Sequence, residues 1–163
     1  MLRDRTGAHQ SAEGCARLTG DGQITFKKEF QMTKMLFPLI YVGLGGLLGA
    51  VFRYLTTLAT QGISMTFPYG TLISNLLGCF IIGIVATLAM GSTLLSTEAR
   101  LFLATGVCGG YTTLSSLVYE LAQFLDDGEF LHASVYFAAT FVGAVLAFYL
   151  GTVLITLLLR PQM

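Results

Sequence analysis

What chemistry this sequence can do rests on polar residues set inside apolar stretches. Arg53 stands in GAVFRY, Asn75 in GTLISNLLG, a run of glycines and hydroxyls in GVCGGYTTLSSLVYE, and Tyr136 and Thr140 in SVYFAAT. Most of these groups are donors: an amide, several hydroxyls and a guanidinium, with Glu120 the one acid expected inside a span. Donors suit a small anion that must exchange its hydration shell for N–H and O–H groups. An unpaired polar group in hydrocarbon is costly, so polar residues at that depth are the informative ones.

Each of these residues also has a plain structural reading. Arg53, near the end of a span, can snorkel to the interface. Asn75 offers two N–H donors and a carbonyl acceptor, which serve either as interhelical glue or as a donor on an ion path. Gly109 and Gly110, followed by Tyr111, Thr112 and Thr113, place poor helix formers at mid-span, where the ladder can open. Freed carbonyls there would be hard ligands for a cation such as Na⁺. Freed N–H groups, with the hydroxyls of Thr112, Thr113, Ser115 and Ser116, would serve an anion. A kink alone is the remaining reading.

Other chemistries find little support. Cys15, Cys79 and Cys108 are odd in number and two of them fall in spans, which reads as free, buried thiols rather than a disulfide framework. His9 and His132 are far apart, and no metal-ligand spacing or Ser-His-Asp or Cys-His arrangement is present. Nine basic residues cancel nine acidic ones, which leaves no field to hold nucleic acid.

The elements that must position the polar set follow from charge spacing. Of 163 residues, 54% are hydrophobic and 11% charged, against roughly a quarter charged in an ordinary soluble domain. Uncharged stretches cover 35–52, 54–97, 101–119 and 130–159. A span needs about 20 mostly apolar residues, so the longest stretch holds two and the expectation is an all-α membrane protein with four spans. Their approximate limits are Phe37–Leu58, Tyr69–Gly91, Thr97–Phe124 and Phe130–Leu159, the third broken at mid-span. The domains expected are a polar, disordered tail over 1–34 and a channel-sized body over 35–163. Met32 and Met35 leave open a later translation start.

Gly43, Gly45, Gly46 and Gly49 in the first span, and Gly143, Ala147 and Gly151 in the last, read as seams where helix backbones approach closely. Lys34, Arg100 and Arg160 fall on one face and Arg53 lies toward the other, a weak orientation signal that suits insertion either way round. So small a bundle shields a polar path poorly, and an oligomer is expected.

At GAVFRY, GTLISNLLG and GVCGGYTTLSSLVYE the sequence closely resembles the fluoride channel family called Fluc or CrcB, over about residues 37–158. The resemblance implies an antiparallel, dual-topology homodimer in the plasma membrane, passing fluoride passively through two pores lined by both subunits. It also implies a structural Na⁺ held by the backbone carbonyls of Gly109 and Thr112. Asn75 matches a pore-lining asparagine, Arg53 an arginine of the vestibule and Glu120 the acid after the third-helix motif. Tyr136 and Thr140 match a polar track, and Thr113 and Ser115 join the expected anion pathway. The family pattern has phenylalanines where this chain has Leu114 and Leu117, and leucine lacks the positive ring edge that meets an anion. That departure raises a heterodimer with a sister subunit as an alternative. A proton-coupled, small multidrug exporter is the rival from another class, although it would centre a carboxylate in the bundle.

Overall fold

The computed structural model describes residues 36–64, 66–91 and 95–159. The expected tail 1–34, with Cys15, His9 and Lys34, and also Met35 and Arg160, lie outside these. The chain divides into the units Met1–Leu39 and Ile40–Met163, and all packing described below belongs to the second.

Among the described residues the structure is helical, with four segments long and apolar enough to cross a membrane. Helix α1 spans Leu36–Thr60 and α2 spans Tyr69–Gly91. The third segment is in two pieces: α3 covers 97–111 and α4 covers Leu114–Asp126. Helix α5, Phe130–Leu158, completes the set. These limits agree with the expected spans to within about two residues.

Local signals explain the ends. Pro68 precedes α2, where its missing N–H costs nothing. The Ser96 side chain accepts from the Ala99 N–H at 3.2 Å and caps α3. Between α4 and α5, Gly128 takes φ +75°, the left-handed conformation that favours glycine. The Glu129 N–H then donates to the Phe124 carbonyl at 2.7 Å and closes the turn.

The glycine seams draw the helices together. Helix α2 packs along α5, where a side chain at Gly83 would strike the Phe148 carbonyl and one at Gly151 the Phe80 carbonyl. Helix α1 packs on α3, with Gly45 against Phe102 and Gly49 against Val107. Gly43 has open space where its side chain would be, so it lies off that seam. Only 11% of the α1 span and 6% of the α5 span are buried within the chain, so most of their apolar side chains face outward, toward lipid or another subunit.

The third segment breaks at mid-span as expected, at the threonine end of the GGYTT run. Gly109–Tyr111 is a helical turn, reached through the π-helical stretch Leu101–Cys108. The ladder opens at Thr112 and Thr113, whose ψ angles of 153° and 113° are extended. Gly110 serves contact: a side chain there would meet the Gly46 carbonyl at 2.5 Å.

Candidate anion pathway

The break needs substitute hydrogen bonds, because extended residues at membrane depth lose the partners a helix supplies. Asn75 of α2 provides them. Its Oδ1 accepts from the Thr113 N–H at 2.7 Å, and its Nδ2 donates to the Thr113 carbonyl at 3.2 Å. Both residues are buried. Thr113 also caps α4, its Oγ1 accepting from the Ser116 N–H at 3.2 Å and lying 3.1 Å from the hydroxyls of Ser115 and Ser116. On the opposite side, the Tyr111 and Thr56 hydroxyls meet at 2.9 Å and tie the break to α1.

This wiring frees two carbonyls. The N–H four residues after Gly109 belongs to Thr113 and goes to Asn75. The N–H four residues after Thr112 belongs to Ser116 and goes to the Thr113 side chain. The carbonyls of Gly109 and Thr112 therefore lack their usual helical donors, and hard oxygen atoms of this kind suit Na⁺.

A second polar group lies one helical turn along α2 from Asn75. The Thr71 hydroxyl donates to Glu120 Oε1 at 2.6 Å, and the Tyr136 hydroxyl donates to Glu120 Oε2 at 2.5 Å. Tyr136 is fully buried and Thr71 nearly so. Phe67 and Phe124 set their rings against Tyr136 at 5.2 Å and 6.0 Å, steeply inclined to it, and so fix the tyrosine. Thr140, one turn on in α5, is buried and donates to the Tyr136 carbonyl at 2.9 Å.

Glu120 also borders an open recess of about 330 Å³ between the 61–68 connection and the α4–α5 turn, lined in addition by Phe67, Phe124, Asp127 and Glu129. Recess, Glu120 pair and Asn75 break form a polar succession along α2, α4 and α5.

The structure thus brings Asn75, Thr113 and Ser115 into one group and Glu120, Tyr136 and Thr140 into another. Arg53 joins neither: it is half-buried on α1, and its guanidinium makes no hydrogen bond or ion pair among the described residues. Leu114 is 73% exposed, whereas Leu117 is buried. Thr71 is the residue that sequence reasoning misses; its spacing of four from Asn75, which puts both on one face of α2, is the signal that finds it.

A family model described as CrcB-like protein, Camphor Resistance (CrcB), matches residues 40–152. A relative from Chlorobium phaeobacteroides (strain BS1), named fluoride-specific ion channel FluC, is 46% identical over 74% of this chain and 94% of its own. One of the same name from Prosthecochloris aestuarii is 43% identical over 76% of this chain and 96% of its own. Another, from Clostridium perfringens (strain 13 / Type A), is 48% identical over 60% of this chain and 77% of its own. With its four apolar spans and the matched region covering α1 to most of α5, the chain is a multi-pass membrane protein that belongs to the CrcB family.

Proposed function

We propose that this chain is a passive, fluoride-selective channel of the plasma membrane. The observation that carries the reading is the donor-rich succession from Glu120, Thr71 and Tyr136 to Asn75 and Thr113, in a chain whose relatives bear the name of fluoride channels. Asn75 spends one amide hydrogen on Thr113 and keeps the second for a passing anion. The Ser115 hydroxyl extends the donor track, Thr140 holds the Tyr136 carbonyl beside it, and Arg53 supplies a cation at the α1 end. The relatives' names give no support to an exporter.

The driving force is external to the protein. Neutral HF crosses lipid, dissociates in the more alkaline cytoplasm and leaves an anion that lipid will not pass. An inside-negative potential contributes about 2.3 kcal/mol per charge per 100 mV toward exit, so a passive pore suffices.

A second copy in antiparallel orientation completes the pore against the outward apolar faces, giving a dual-topology homodimer. The carbonyls of Gly109 and Thr112 fit a structural Na⁺ shared across that dimer. Its chemistry is electrostatic: a fixed cation that satisfies oxygen atoms the break leaves without donors.

Fluoride efflux from proteoliposomes holding the purified chain, under a K⁺ gradient with a K⁺ ionophore, tests the reading. Fluoride leaves and chloride stays if it holds. Vesicles as tight to fluoride as protein-free ones would overturn it.

A further inference from the structure

The turn between α4 and α5 leads into a histidine that the donor track does not use. His132 Nδ1 lies 3.3 Å from Glu129 Oε2. Its ring stacks on Phe124, centroids 6.0 Å apart and planes 20° apart. Phe124 in turn meets Tyr136, the donor to Glu120. The histidine therefore touches both a carboxylate of the recess and the ring that buttresses its tyrosine.

The recess itself has an electrostatic difficulty. Its lining carries Glu120, Asp127 and Glu129 and no cationic side chain, which is unfavourable for an anion entering or leaving. The hydroxyls of Thr71 and Tyr136 occupy the two oxygens of Glu120 and moderate that charge. Among the described residues, His132 is the group paired with Glu129.

We propose that His132 is the positioning residue that compensates this mouth: charged, with its ring resting on Phe124, it neutralises Glu129; neutral, it leaves the rim acidic and fluoride entry slower. The inference rests on the channel reading. The groups placed against it are Glu129 from the turn and Phe124 from α4; Glu120 and Asp127 are the other acids of the recess that Glu129 lines, and Tyr136 stands one turn on in α5. Imidazole is the side chain whose charge changes across roughly pH 5–8. Protonation of the imidazole would add a cation beside Glu129 and raise fluoride flux.

The full chain in proteoliposomes provides the test, with protein-free vesicles subtracting the HF that crosses lipid unaided. At low ionic strength, flux should be about threefold faster near pH 6 than near pH 8. The ratio should shrink toward one at high salt, which a purely structural histidine would not show. His132→Phe keeps the stack and loses the charge, so its flux should stay at the basic-pH level throughout. His132→Arg should hold the acid-pH level at both. A wild-type ratio of one, or a pH dependence that survives in His132→Phe, would overturn the proposal while leaving the channel intact. Absence of fluoride flux at every pH would overturn the channel reading, and this inference with it.

Discussion

With its oxygen on the Thr113 N–H and one hydrogen on the Thr113 carbonyl, Asn75 is part of the fold before it is part of any pathway. Asn75→Ala leaves a buried donor and a buried acceptor unpaired, each at about 1–3 kcal/mol. We expect a clear fall in the unfolding temperature in detergent together with loss of fluoride efflux. Tyr136→Phe separates the two effects. It keeps the ring between Phe67 and Phe124 and removes only the donor to Glu120. Flux should fall about tenfold, while the unfolding temperature drops less than in Asn75→Ala, because the one bond lost is worth about 1.5–3 kcal/mol and Glu120 still borders the open recess. Residues such as Asn75, Thr113 and Tyr136 are legible in the sequence because they are polar where their neighbours are apolar. Thr71 is harder to see: a threonine near a span end can satisfy itself on its own helix, so its place on the Asn75 face of α2 becomes telling only beside its hydrogen bond to Glu120.

Helix limits follow from charge spacing and hydrophobic length, and the sequence carries both plainly. The site of the break does not follow so directly. Low helix propensity marks the run from Gly109 to Thr113, yet Gly109 and Gly110 stay helical, Gly110 packed on the α1 backbone at Gly46. The ladder opens where a side chain on another helix offers replacement bonds, and that is a tertiary fact. The seam itself makes a sharp prediction. Gly49→Ala would drive a methyl group into the Val107 carbonyl, backbone that cannot step aside. Its cost should exceed the ~1–3 kcal/mol typical of overpacking, seen as loss of monodisperse protein on size exclusion. Gly43→Ala, on the same helix with open space before it, should purify and conduct like the wild type.

Among the described residues the four spans turn most of their apolar side chains outward, and one chain encloses its polar succession only in part. The purified chain should therefore run as a dimer in mild detergent, and a light-scattering mass with detergent subtracted checks this. Relatives match over nearly their own full length while covering only about three quarters of this chain. Residues 35–163 alone should accordingly support fluoride efflux at the full-length rate. The bond between α2 and the break also bears on how the protein is made. A third span released into lipid with its Thr113 groups unpaired would face several kcal/mol of penalty per group. Helix α2 emerges from the ribosome first and carries the side chain that removes that penalty. Membrane insertion is thus ordered by sequence position: the earlier hairpin partner waits with the amide that lets the later, interrupted segment stay in the bilayer.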